Sequence, residues 1–394
     1  MRKLTHALVA AGLLSMPALV LAEDAPAKPK IPIPALDDVL DAWGLSLNGY
    51  LDVSYSHLTS NGFFVGGFAN RVFDARRDSF SVHQAAFTLA KQPKEGFGAL
   101  VNLIAGEDAD IIHALGTAGT TNFDVTQAFV QYAKGPYTLI GGKYVTLAGA
   151  EVINPTQDTN FSRSILFGYA IPFTHTGVRG TYAVNDKVSL ILGVNNGWDQ
   201  LRDANSAKTI EAGFSYAPLK NLTVTTQGYF GKEQVFPAPG GGVGTPGGAA
   251  GNRGLVDALV TYNATDKLTL ILNPDLAMQQ NASTADVTGN NTARWWGIAA
   301  YAVYQFTDQW RGTLRAEYFD DKDGYRTGVV QKWKEVTYTM AYLPTKNIEL
   351  RGEVRYDRSN GNPPSGPFED PGFAATRGTG KGQSSVALEA LFKF

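Results

Sequence analysis

The chain has 394 residues, with 36 acidic and 34 basic side chains, 43 glycines, 17 tyrosines, 21 phenylalanines and no cysteine. A formal charge of −2 leaves no basic excess for a nucleic-acid backbone, so no nucleic-acid partner is expected. The missing cysteine removes disulfides, zinc ribbons and thiol nucleophiles together. Much glycine and tyrosine with only 18 % charged residues points to a β-rich protein with many turns.

At the amino terminus, Arg2 and Lys3 precede an apolar run over 7–21, and Val20-Leu21-Ala22 offers a small-residue cleavage site. Residues 1–22 are therefore expected to be a secretory signal peptide. The run is short for a membrane anchor, and Glu23-Asp24 follow at once. Residues 23–42, rich in Pro and Lys at the start, read as an extended periplasmic spacer. Residues 37–43 could form a short amphipathic turn at the periplasmic mouth, or Trp43 could serve as an interfacial anchor. No later apolar run approaches the 18 or so residues of a spanning helix. An exported chain of this kind is either soluble or crosses as strands.

From residue 45 onward the hydrophobic pattern has period 2. Along 348–358, Ile348, Leu350, Gly352, Val354 and Tyr356 alternate with Glu349, Arg351, Glu353, Arg355 and Asp357, and in a strand these sets point to opposite faces. The first and last segments repeat the alternation. Counting all such segments predicts about sixteen strands: 45–58, 79–91, 97–106, 124–134, 136–144, 175–184, 187–197 and 208–217, then 221–232, 254–263, 267–279, 294–306, 309–320, 332–343, 347–358 and 384–394. Their connections alternate long and short without exception, which is the habit of a transmembrane barrel with short periplasmic turns and long extracellular loops. The expected fold is all-β: an antiparallel transmembrane β-barrel over 43–394, with both ends on the short-turn side.

Strands running toward a short turn end on an aromatic: Tyr132, Tyr182, Tyr216, Tyr262, Tyr304, Tyr342 and finally Phe394. Rings at that depth suit a membrane–water boundary, with Trp310 a further candidate for the belt. The charged parity must face inward, since each charge on the lipid face costs about 2–4 kcal/mol near the midplane. Arg311, Arg315, Glu349, Arg351, Glu353 and Arg355 thus become lumen-wall residues. A ring of sixteen strands is too wide for side chains alone to fill, so water is expected within.

The third long loop, 145–174, carries Glu151, Asp158 and Arg163 and then Phe161, Phe167, Tyr169 and Phe173. One reading folds it into the lumen as a constriction, setting Glu151 and Asp158 against Arg311, Arg315, Arg351 and Arg355 in a transverse field that orients polar solutes. The other leaves it outside as a solvated loop whose aromatics pack on the barrel.

Three stretches carry a resemblance: Gly44-Leu45-Ser46-Leu47-Asn48-Gly49-Tyr50, Asn154-Pro155 through Phe161-Ser162-Arg163-Ser164, and Pro172-Phe173-Thr174-His175-Thr176-Gly177-Val178-Arg179. The sequence resembles the putative β-barrel porin-2 (OmpL-like) family of Gram-negative outer-membrane proteins. Its end, Leu391-Phe392-Lys393-Phe394, is similar to the terminal signal of outer-membrane barrels generally. The resemblance implies a porin-like barrel in the bacterial outer membrane, inserted by machinery that reads the last strand, with lipid and lipopolysaccharide around it. It supplies no established substrate. A homo-oligomer, a trimer, is one state such a barrel could take.

Other candidate chemistry is weak. The glycine-rich stretch 240–251 lacks the Gly-Lys-Ser/Thr of a phosphate loop and the helix behind it. Arg71, Arg76, Arg77 and Asp78 could meet lipopolysaccharide phosphates, a neighbouring subunit or only water. The mature histidines His57, His83, His113 and His175 fit no metal signature, and a serine triad would need an orientation that only a structure can show. No catalytic residue, metal or cofactor is expected. The leading function is passive diffusion of small hydrophilic solutes and ions through a water-filled barrel with a charged lumen. The alternatives are a substrate-selective channel with its site at 145–174, and a receptor or enzyme on a plugged barrel.

Overall fold

A computed structural model describes residues 35–59, 71–117, 122–233, 250–282, 292–327, 330–361 and 381–394. The expected signal peptide and most of the spacer lie outside these residues, as does nearly all of 240–251. The chain divides into two units, 1–43 and 44–394. In the first, Leu36–Trp43 forms one short amphipathic helix, α1.

The second unit is a single closed barrel of sixteen antiparallel strands, each paired with its sequence neighbours and the first paired with the last. The strands are β1 Ser46–Leu58, β2 Ser79–Lys91, β3 Gly96–Ala105, β4 Phe123–Lys134, β5 Tyr137–Val145, β6 Thr174–Asn185, β7 Val188–Asn195 and β8 Thr209–Leu219. They continue with β9 Leu222–Glu233, β10 Gly251–Asn263, β11 Leu268–Gln279, β12 Ala293–Thr307, β13 Trp310–Asp321, β14 Gln331–Thr345, β15 Ile348–Ser359 and β16 Gly382–Lys393. All sixteen expected segments are strands, with ends shifted by at most three residues. The alternating long and short connections are also as expected.

Closure is made by β1 and β16, which pair from Tyr50 with Lys393 to Leu58 with Ser385. Gly49 and Phe394 exchange both main-chain hydrogen bonds, at 2.9 and 3.0 Å. A Cβ added at Gly49 would stand 2.2 Å from the Phe394 ring, so the glycine is what lets that ring lie flat on the seam. Closure leaves no strand edge unpaired, which is what a β-structure needs in hydrocarbon.

Period 2 fixes the two faces. On β15, Glu349, Arg351, Glu353, Arg355 and Asp357 are buried inside, whereas Leu350, Val354 and Tyr356 are 42–53 % exposed outside. The girdle candidates Tyr132, Tyr182, Tyr216, Tyr262, Tyr304 and Phe394 are likewise 37–51 % exposed on the outer face. Several stack with aromatics from adjacent strands, of which Phe97 and Tyr137 are passed over when only every second strand is counted. Phe97 lies 4.8 Å from Tyr132, Tyr137 4.8 Å from Tyr182, and Trp310 4.7 Å from Tyr342.

Period counting also passes over structure within the long loops. Residues Glu107–Ile112 form a helix, α2, that packs on β2, β3 and β4. Inside the third long loop lie a 3-10 turn at Pro155–Gln157 and a wide π turn at Leu166–Ala170.

The two faces should differ in their tolerance of polar substitution. Leu388→Arg on the outer face of β16 is expected to destabilise the folded barrel by about 2–4 kcal/mol in lipid bilayers, read from urea unfolding of vesicle-inserted protein. Ser385→Asn, on the inner parity of the same strand, is expected to be tolerated better.

Candidate functional site: an inward-folded loop held by the charged wall

Residues 146–173, between β5 and β6, lie inside the barrel. Ile165, Leu166, Phe167, Tyr169, Ile171 and Phe173 are all buried and form one apolar cluster with Phe73, Trp198, Trp295, Phe319 and Trp333, and Phe161 is buried edge-on against His83. Packing accounts for the aromatics, but a buried loop must also satisfy its main-chain N–H and C=O groups, and a loop has no ladder to do so. The charged wall supplies the partners.

Carboxylates accept the loop's N–H groups. Glu353 accepts from Phe161 at 2.8 Å and Ser162 at 3.1 Å, and Glu317 from Ile165 at 3.0 Å and Leu166 at 3.1 Å. Asp199, from the loop after β7, accepts from Phe173 and Thr174 at 2.8 Å each. Guanidiniums donate to the loop's carbonyls. Arg351 reaches Pro155, Asp158 and Asn160 at 2.7–3.1 Å. Arg355 reaches Arg163 at 2.7 Å, Arg315 reaches Ser162 at 2.5 Å, and Arg326 bonds Tyr169. The π turn is clasped at both ends, by Glu317 at its start and by Trp295 Nε1 on the Ala170 carbonyl at 3.0 Å.

The wall is internally paired as well. Arg315 meets Glu335 at 2.8 Å, Arg351 meets Glu349 at 2.7 Å and Glu389 at 3.0 Å, and Arg355 meets Asp357 at 2.6 Å. Carboxylates outnumber guanidiniums in this row, and the loop amides make up the shortfall of donors. The first long loop, between β1 and β2, contributes too: Arg71 pairs with Asp74 at 2.9 Å and Asp357 at 2.7 Å. Burial pushes the Asp74 carboxyl up from its ordinary value, with Arg71 opposing that shift. Arg76 and Arg77 remain nearer the surface, beside Glu107 and Asp78.

These contacts revise one expectation. The sequence sets Glu151 and Asp158 across an open gap from Arg311, Arg315, Arg351 and Arg355. The structure instead joins Glu151 directly to Arg315 at 2.8 Å, with Tyr301 and the Ser164 amide as further donors. Asp158 pairs with Arg163 of its own loop, and only its backbone touches Arg351. Arg311 pairs with Glu349. Opposite charges are thus neutralised in contact rather than held apart, because a loop buried this deeply cannot leave them unpaired.

Below the loop, toward the short turns, the inward residues change character. Thr138, Thr181, Ser215, Thr225, Thr261 and Thr269 are half-buried, giving the vestibule hydroxyls along β5, β6 and β8–β11, while Arg311, Glu349 and Lys393 keep paired charges at the same end of β13, β15 and β16. At the depth of the loop the far wall closes in, and Lys143, Arg179, Glu211, Gln227, Asp257 and Asn273 are all buried. There Arg179 pairs with Glu211 at 2.7 Å and lies over Tyr144. None of these far-wall residues stands out in the sequence, because their strands lack the charge alternation of β15.

One group resembles catalytic machinery. Ser54 Oγ lies 2.7 Å from His83 Nε2, and His83 Nδ1 lies 3.4 Å from Asp108 Oδ1. The order matches a hydrolase triad. However, all three are at most 5 % exposed, and Ser54 sits mid-strand between Ser81 and Glu389. Its neighbours' N–H groups belong to the ladders and cannot form an oxyanion hole. The group braces α2 against β1 and β2.

A family model described as putative β-barrel porin-2, OmpL-like matches residues 44–394. The chain belongs to this porin family. The family points to a channel, and its place is the bacterial outer membrane. No curated protein matches the sequence. Among solved structures, the chain is similar to the outer-membrane channel DcaP of Acinetobacter baumannii, with 13 % identity, TM-score 0.59, and coverage of 89 % of this chain and 97 % of that one. It is similar to OmpT of Vibrio cholerae in a trimer form, with 12 % identity, TM-score 0.58, and coverage of 89 % and 99 %. It is also similar to an anion-selective porin from Comamonas acidovorans, with 12 % identity, TM-score 0.61, and coverage of 89 % and 99 %. At these identities the likeness is one of fold.

Arg351, like Arg315 and Arg355, is used twice, in ion pairs and on loop carbonyls. Arg351→Met is expected to cost about 3–5 kcal/mol, since Glu349 and Glu389 would stay buried without their partner. Arg358→Met, seven residues along the same strand and exposed, should stay within about 0.5 kcal/mol. Urea unfolding of the two variants side by side checks both.

Proposed function

We propose that this porin is a channel of narrow bore whose limiting section is set by residues 146–173, with Glu151, Asp158 and Arg163 holding the loop's own shape and Arg315, Arg351 and Arg355 anchoring it. The burial of this loop against the charged wall, above a vestibule lined by hydroxyls, is the observation that carries the reading. Small hydrophilic solutes and ions would enter the vestibule freely and be restricted at the loop. This supports the selective form of the channel over a wide, unselective bore, because a wide bore would leave the wall charges in water.

The partners follow from the surface. The apolar outer face and its aromatic belt suit lipid and lipopolysaccharide, and β16 with Phe394 suits recognition by the barrel-insertion machinery. A groove of about 820 Å³ on the outer face, flanked by Tyr55, Phe80, Trp310 and Leu388, suits acyl chains or a neighbouring copy. The trimer form of OmpT favours a trimer here.

Purified protein in planar bilayers is expected to show small conductance steps. Removing the loop's two carboxylate anchors together, in Glu317→Ala/Glu353→Ala, is expected to raise the single-channel conductance by roughly twofold or more and to add open-state noise. Bilayers that stay sealed at every voltage would sink the channel reading, and an unchanged conductance in the double variant would sink the role of the loop.

A further inference from the structure

On the outer-loop side of residues 146–173, two arginines share one aromatic nest. Arg253 comes from β10 and Arg326 from the loop after β13. Arg253 lies 4.9 Å from the Trp198 ring and 5.9 Å from Tyr325, and Arg326 lies 5.7 Å from Trp198 and 5.4 Å from Trp295. Each is 93 % buried by its 7 % exposure. Unlike Arg315, Arg351 and Arg355, neither has a carboxylate oxygen within 4.0 Å among the described residues.

Their hydrogen bonds leave capacity over. Arg253 donates from Nε to Gln279 at 2.6 Å and from Nη2 to the Tyr325 hydroxyl at 2.9 Å. Arg326 donates from Nε to the Tyr169 carbonyl. Arg253 Nη1 and both Nη atoms of Arg326 have no acceptor among the described residues, yet they are absent from the fully enclosed polar atoms. They therefore border accessible space. Burial, and then the like charge of Arg253, push the Arg326 guanidinium down to about 10.

The surrounding carboxylates are turned elsewhere. Glu233 accepts from Thr209 at 2.7 Å, Gln200 at 3.0 Å and the Trp198 amide at 3.2 Å. Asp321 accepts from the Arg326 and Thr327 amides at 3.0 and 2.7 Å, and Asp199 from Phe173 and Thr174. These groups fix the nest in place and temper its charge without meeting the guanidiniums.

Two like charges brought together in a low-dielectric site, with donors unused, are a standing cost that an anion would relieve. We propose that Arg253 and Arg326 form a binding site for an aromatic carboxylate, its two oxygens taking the free guanidinium N–H groups and its ring joining the stack of Trp198, Trp295 and Tyr325. A carboxylate matches the planar fork of an arginine. The aromatic half follows from the tempered charge: a bare anion gains little beside three carboxylates, whereas a ring adds stacking contact. The site would give the channel its solute class. It rests on the channel reading for that meaning, but not for its existence.

The test uses the refolded mature chain in detergent, titrated with sodium benzoate at constant ionic strength. Binding is read by tryptophan fluorescence and by calorimetry, with benzamide and sodium acetate as matched comparisons. Benzoate is expected to saturate, with half-saturation at least about tenfold lower than for benzamide or acetate. Arg253→Gln is expected to raise the benzoate half-saturation about tenfold or more, and Arg326→Lys, which keeps the charge but loses the fork, to raise it several-fold. Arg294→Gln, at an exposed position on β12, should change nothing. No saturation by benzoate, equal binding of benzamide or acetate, or an unchanged Arg253→Gln would each overturn the proposal. If the arginine variants fail to fold, the comparison of three ligands on the unaltered chain decides alone. Benzoate binding with sealed bilayers would count against the channel reading only, and conductance without benzoate binding would count against this site only.

Discussion

The structure depends on one constraint, the need of a buried main chain for hydrogen-bond partners. A loop of nearly thirty residues inside a barrel brings its amides and carbonyls away from bulk water, and each one left unmatched costs on the order of 1–3 kcal/mol. Helices and sheets solve this internally. Residues 146–173 are mostly irregular, so their partners must come from the wall, and the wall must present acceptors where the loop has N–H groups and donors where it has carbonyls. Glu317 and Glu353 on one side, and Arg351 and Arg355 on the other, meet that requirement. The charged parity of β13–β16 is then more than the polar lining of a hole. It is a template for one loop conformation.

The template also explains which parts of the molecule can be read in the sequence. Strand positions obey period 2 because lipid outside and polar groups inside impose opposite chemistries on successive residues, and the rule needs no knowledge of what occupies the lumen. The inward side of Glu349 through Asp357 is legible for that reason. What they touch is not. Whether Glu151 stands across a gap from Arg315 or in contact with it depends on the path of the loop, and a path through Pro155–Gln157 and a π turn leaves no periodic trace. The triad-like order of Ser54, His83 and Asp108 is likewise invisible beforehand, because α2 that brings Asp108 to His83 interrupts a loop without an apolar period.

Some misses had a signal that could have been used. Phe97 and Tyr137 stand at the starts of strands that leave short turns, at the depth where Tyr132 and Tyr182 end theirs. Counting both strands of each hairpin, rather than every second strand, would have shown the belt as cross-strand pairs. Trp198, Trp295, Tyr325 and Arg326 are different. They come from three separate connections and strands, and nothing in their spacing announces a common nest.

Pairing in contact changes where solute discrimination has to reside. A transverse field needs opposite charges separated by water, and the salt bridges of Glu151 with Arg315 and of Asp158 with Arg163 collapse that separation. What survives at a distance is only what stays unmatched. At the short-turn end Arg311 and Lys393 are paired with Glu349, and the loop section is neutralised locally. The two guanidiniums over Trp198 are buried cations of the outer half with no carboxylate oxygen in contact among the described residues. Steering by charge falls off over roughly a Debye length of 8 Å at physiological salt, so groups at the outer approach act on a solute before the narrow section does. On the proposed reading, selection and restriction fall at different depths: chemistry would be read near the outer loops, and size where the loop meets the wall.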